Sequence, residues 1–124
     1  MAAKIRKCLF IGLGGTGMTS LLHTKQVFME TYGEVPPMIG FLGIDTDGAA
    51  YNKELPSKNG PVGLDPHEQM AIRVDDAQSI LRVNKDRFTW VPEQNFGAMI
   101  SMTQGAGQIR TNGRFALTCN EDSV

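Results

Sequence analysis

Hydrophobic and polar positions fall into a strongly patterned opening and a weaker remainder. Lys4-Ile-Arg-Lys-Cys-Leu-Phe-Ile11 carries a short apolar run that leads straight into Gly12, Gly14, Gly15 and Gly17. Such a run, closed by clustered glycines, predicts a buried strand that turns sharply into a helix. Thr16 to Tyr32 holds no proline, and Met18, Leu21, Leu22, Phe28 and Tyr32 recur at spacings that approximate one helical face. Gly33 is placed to cap that helix, and Val35-Pro36-Pro37 prevents its continuation. Met38 to Ile44 is a second apolar run. A strand, a helix and a strand in that order predict a right-handed parallel crossover, hence an α/β fold whose sheet is parallel at its start. Asp45-Thr46-Asp47-Gly48 follows the second strand, so its polar side chains are delivered to the same edge as the glycines.

Beyond Asn52 the pattern weakens. Residues 52–66 are rich in proline, glycine, lysine and asparagine and read as an exposed connection. Met70 to Val74 suits a short strand, and Asp75 to Val83 opens with acids and ends near a basic residue, as a short helix does. Arg87 to Val91 suits a strand or a loop equally, because its β-formers stop at Pro92. Asn95 to Met102 reads as a helix, and the segment from Gln104 reads as a loop entering a last helix that ends near Leu117. The chain therefore divides into a domain over 1–117 and a polar tail over 118–124.

Composition narrows the function. Twelve basic and thirteen acidic residues give a net charge of −1 at pH 7, which offers no footprint for nucleic acid or an anionic membrane. No apolar run approaches the roughly 20 residues of a membrane span and no secretory segment opens the chain, so a cytoplasmic location is expected. Cys8 and Cys119 lack metal-ligand spacing and read as reduced structural thiols. His23 and His67 are isolated from the cysteines and from each other.

Gly12, Gly14 and Gly17 stand in the G-x-G-x-x-G spacing, in which absent Cβ atoms permit positive φ, close approach of a diphosphate and tight packing of helix on strand. The first acid after Gly12 is Glu30, so no nearby carboxylate competes for the positive helix end. A Walker A loop is excluded, since Gly17 is followed by Met18-Thr19 instead of Lys-Ser/Thr. A dinucleotide-binding unit for NAD(P) or FAD needs an acid about 20 residues beyond the glycines. Asp45 lies 28 beyond Gly17, so that alternative stays open with a stretched spacing. Glycines that serve only packing, in a module that binds no nucleotide, are the other alternative. Asp45 and Asp47 could equally cap a turn, and Arg110 and Arg114, four apart, could meet phosphate or pair with acids. Trp90 and Phe96 suit core anchors better than stacking platforms.

Three polar clusters, Gly12-Leu-Gly-Gly-Thr-Gly17, Asp45-Thr46-Asp47 and Gly105-Ala-Gly-Gln-Ile-Arg-Thr-Asn-Gly-Arg114, resemble in order the opening nucleotide loops of the tubulin and FtsZ superfamily. The third keeps Gly105, Ala106, Gly107, Gly113 and Arg114 in the family's spacing. Arg110 stands where the division protein has proline, and Asp45 where it has asparagine. Both departures bring the chain closer to the divergent bacterial tubulin-like proteins. The resemblance implies a three-layer, Rossmann-like nucleotide-binding domain, here a truncated N-terminal part of the tubulin/FtsZ fold. It implies GTP or GDP with Mg2+ as ligand, and head-to-tail self-association into oligomers or filaments in the complete chain. Gly12, Gly14, Gly15, Thr16 and Gly17 would cradle phosphate. Asp45, Thr46 and Asp47 would orient the nucleotide or its ion, and Gly105, Ala106, Gly107, Gln108 and Arg110 would meet the terminal phosphate. The family's later G-G-T-G-[ST]-G run and its water-activating acidic loop have no counterpart in these 124 residues, so GTPase activity is expected of the complete chain and not of this one.

Overall fold

A computed structural model describes residues 6–94, 102, 106 and 109–123. Strand β1 (Cys8–Leu13) runs directly into helix α1 (Gly14–Tyr32), and β2 (Ile39–Asp45) returns parallel to β1. A short β3 (Gln69–Ala71) completes a sheet of order β1-β2-β3. Helices α2 (Ala77–Val83) and α3 (Arg110–Cys119) follow. The α/β class and the parallel crossover are those the hydrophobic pattern predicts.

The residues form two compact units, Met1–Asp45 with Ala49–Met70, and Thr46–Gly48 with Ala71–Val124. In the first, α1 lays Met18, Leu21 and Leu22 on Ile39 and Phe41 of β2. Phe10 of β1 stacks on Phe41 with ring centroids 5.6 Å apart, and Phe28 of α1 meets both rings. Gly33 caps α1 in the left-handed conformation at φ 78°, its N–H donating to Met29 O at 2.9 Å.

Strand β1 is not buried as its sequence suggests. Leu9, Ile11 and Leu13 are 59%, 54% and 68% exposed. A continuous apolar run implies cover on both faces, but β1 stands at the edge of the sheet and α1 covers only the face carrying Phe10 and Gly12. The expected exposed connection over 52–66 also carries structure. Leu55 and Val62 exchange main-chain hydrogen bonds of 2.8 and 2.7 Å as an antiparallel bridge, and Val62 and Leu64 are buried. Three separated apolar residues make no periodic signal, so the pattern hid this hairpin.

In the second unit, α2 is capped by Asp76, whose Oδ1 accepts from Ser79 N at 3.2 Å. Hydrogen bonding from Ser79, its hydroxyl first and its N–H second, holds the Asp76 carboxyl below its usual range. Residues 87–91 form turns, with Val91 N donating to Phe88 O at 3.0 Å, so the strand alternative is not taken. Most of the helix expected over 95–102 lies outside the described residues, but Met102 forms an isolated antiparallel bridge with Val74. Phe115 of α3 is fully buried and packs on Phe88 at 4.7 Å. The helix passes Leu117 and ends at Cys119, and a 3-10 turn spans Glu121–Ser123 where a polar tail is expected.

Candidate functional site

Register brings Asp45 beside the glycine cluster. Strand pairing runs in parallel from Cys8↔Ile39 to Leu13↔Ile44, so Gly14 and Asp45 are the next residues at one carboxyl edge. This is the edge at which open α/β sheets bind ligands.

The glycines divide the work there. An added Cβ on Gly12 would lie 2.5 Å from Gly17 O, and one on Gly17 would lie 2.9 Å from Gly12 C. These two let the first turn of α1 close on the end of β1. Gly14 has φ +70°, a conformation side chains resist, and it turns the strand into the helix. A Cβ on Gly14 or on Gly15 would meet nothing within 4 Å. The first turn of α1 thus opens onto space that side chains do not fill.

Leu13 at the N-cap supplies no side-chain hydrogen bond, and the first turn holds no acid. The N-cap residue therefore leaves the leading N–H groups of α1 without a side-chain cap, and the helix dipole favours an anion there. Thr16 is exposed in this turn. The Thr19 and Ser20 hydroxyls bond back to Gly15 O and Thr16 O, both at 3.0 Å, leaving the helix N–H groups untouched.

Asp45 is half-buried, and its main chain is tied by a residue the sequence pattern does not single out. Tyr51, on a 3-10 turn over Gly48–Asn52, is buried with its hydroxyl accepting from Asp45 N at 2.9 Å and donating to Met70 O at 2.5 Å. Burial pushes its pKa up, and the negative Asp45 nearby adds to the rise, against the lowering effect of the Asp45 N–H. Thr46 and Asp47 follow directly in the chain and belong to the second unit, where Thr46 is buried and Asp47 half-buried.

Of the third cluster, Gly105, Gly107 and Gln108 lie outside the described residues. Ala106 O accepts from Ile109 N and from Asn112 Nδ2, each at 3.2 Å, which ties Ala106 to the start of α3. Arg110 is the exposed first residue of that helix. Arg114 instead sets its guanidinium 4.1 Å from the ring centroid of Trp90, so these two arginines do different jobs despite their helical spacing. Trp90 is half-buried and meets Phe88 edge-on at 6.0 Å, which suits an anchor.

A second polar cluster lies in the first unit. A cavity of about 440 Å³ is lined by α1, the prolines 36, 37 and 61, and the turn Asp65–Glu68. Inside it, buried Lys25 donates from Nζ to Glu68 Oε1 at 2.5 Å and to Gly63 O at 2.8 Å, with Asp65 Oδ2 at 3.6 Å. Asp65, His67 and Glu68 place ligand-type atoms within 4.8 Å of one another. The Lys25 ammonium already supplies the positive charge between the two carboxylates, so the group works as an ion-pair network. Its sequence signals are a lysine inside the Met18, Leu21, Leu22 stripe and the Asp65-Pro66-x-Glu68 helix-start pattern.

The glycine turn and the carboxyl-edge aspartate define an α/β protein of Rossmann-like build. The family model described as tubulin-like matches residues 9–124, and the chain belongs to that family. No curated protein and no solved structure matches it. No helix among the described residues is long and apolar enough to cross a membrane.

Proposed function

We propose that the chain binds guanine nucleotide, GTP or GDP, with phosphate at the start of α1. The observation that carries this reading is the acid-free, uncapped first turn of α1, with open space at Gly14 and Gly15 beside Asp45 at one sheet edge. Backbone N–H groups from Gly14 onward would hold phosphate oxygens. Asp45 and Asp47 would orient the nucleotide or hold Mg2+ through water, since that ion keeps several waters and takes one or two carboxylates. Roles for Gly105, Ala106, Gly107, Gln108 and Arg110 at the terminal phosphate stand on the sequence resemblance. Guanine is favoured over NAD(P) or FAD because three clusters match the tubulin-like pattern, the third of which a dinucleotide motif does not require. Self-association coupled to GTP follows from the same resemblance.

The test is calorimetric titration of GTP and NAD into the wild-type chain and a Gly15→Glu variant. A glutamate in the first turn stabilises α1 through the dipole by about 0.3–1 kcal/mol while placing negative charge where phosphate would sit. The expected result is GTP binding by wild type and none by a variant that melts no lower. Saturable NAD binding without GTP binding refutes the reading.

A further inference from the structure

We infer that Tyr51 is a positioning residue for the nucleotide site, an inference that rests on the function just proposed. Strand β2 pairs with β1 only as far as Ile44. The N–H of Asp45, one residue further, finds its acceptor in the Tyr51 hydroxyl at 2.9 Å. That hydroxyl donates its own hydrogen bond to Met70 O at 2.5 Å, with Asp45 O a more distant 3.3 Å away. One oxygen therefore ties the carboxyl end of β2 to β3, while the ring is set in the core with Phe41, Ala50 and Leu64. Asp45 opens the Asp-Thr-Asp cluster, so the hydroxyl fixes the main chain of the first residue assigned to nucleotide and Mg2+.

The position of the ring argues for this role over simple packing. Phenylalanine would fill the same space, so a core function needs no hydroxyl. The polar tip is buried by an aromatic body and has both its donor and acceptor capacities used by main-chain groups. Removing it leaves an N–H and a C=O without that partner at the point where β2 ends. The cost should therefore appear as lost order at Asp45–Asp47 and as weakened binding of whatever those residues hold.

The experiment compares wild type, Tyr51→Phe and Ile39→Val. Ile39 is buried at the amino end of β2, so its variant is a mildly destabilised control remote from the site. GTP affinity is measured by titration with Mg2+ and again with chelator. Tyr51→Phe is expected to weaken GTP binding about 3- to 10-fold with Mg2+, the range one positioning hydrogen bond carries. The loss should be smaller with chelator, and Ile39→Val should keep wild-type affinity in both. A purely structural role would move both variants alike and would not depend on Mg2+. If wild type binds GTP and Tyr51→Phe binds equally well, or if Ile39→Val loses as much, the inference on Tyr51 falls while the nucleotide reading stands. If folded wild type binds no GTP, the nucleotide reading falls and takes this inference with it.

Discussion

Replacing Lys25 by methionine tests whether a buried charge pair holds α1 to the Asp65–Glu68 turn. Methionine keeps an unbranched stem of similar length, so the change removes the ammonium with little loss of packing. The side chains of Lys25 and Glu68 are 9% and 8% exposed, and the ammonium meets Glu68, Gly63 O and Asp65 at 2.5, 2.8 and 3.6 Å. Without it, Glu68 keeps the Asp65 N–H at 2.8 Å but loses its counter-charge while its side chain is only 8% exposed. Breaking one side of such a pair costs about 3–5 kcal/mol. At about 4 °C per kcal/mol for a chain of this size, melting should fall by about 12–20 °C. Because the penalty lies in the stranded carboxylate, Glu68→Gln added to Lys25→Met should recover most of it. Urea unfolding followed by circular dichroism on the two single variants and the double gives the coupling energy directly. A Lys25→Met variant within about 1 kcal/mol of wild type, or a double variant as unstable as the sum of the singles, refutes the argument.

Other substitutions probe the turn and its surroundings. Gly12→Ala places a methyl 2.5 Å from Gly17 O and should cost about 3 kcal/mol or more by thermal melting, whereas Gly15→Ala meets no atom and should be neutral or mildly stabilising. Equal melting of the two would contradict the division of labour among these glycines. Gly33→Ala forces a side chain into φ 78° and should cost about 1–2 kcal/mol, measured the same way; an unchanged midpoint would speak against the left-handed cap. Burial raises the Tyr51 pKa, so the folded state keeps the phenol protonated where the unfolded chain would release the proton. The resulting stability is fully present below about pH 10 and is lost as pH rises through the folded value. Urea midpoints from pH 8 to 11 should fall less steeply for Tyr51→Phe than for wild type, and parallel curves would count against this linkage.

The opening β1-α1-β2 unit was legible because each element carries its own local signal. Clustered glycines end the strand, three buried positions of the Met18 stripe mark one face, and Gly33 followed by Pro36-Pro37 stops the helix. The burial of β1 was misread, since an apolar run states what a strand can cover and not how many faces are covered. Lys25 and Glu68 were hidden for a different reason. A lysine on an apolar stripe looks like a break in the pattern until its acceptor is known, and that acceptor lies 43 residues away. The Leu55–Val62 bridge and the Tyr51 hydroxyl likewise depend on partners that periodicity does not reveal.

Spacing alone misjudges Asp45 for a reason the structure makes explicit. Measured along the chain, it stands 28 residues beyond Gly17, against about 20 for the acid of a dinucleotide fold. Helix α1 runs to Tyr32, and a connection carrying Pro36 and Pro37 separates it from the start of β2 at Ile39. The added residues lengthen the crossover without moving its end point, because parallel register still brings Ile44 opposite Leu13. A ligand at the start of α1 would meet the residue at the end of β2, whatever the length of chain between them. The stretched count is therefore weak ground for choosing between a dinucleotide and a guanine nucleotide. The stronger ground is what accompanies Asp45: the Thr46-Asp47 pair that follows it and the Gly105–Arg114 cluster, which a dinucleotide motif does not require and the tubulin-like pattern does.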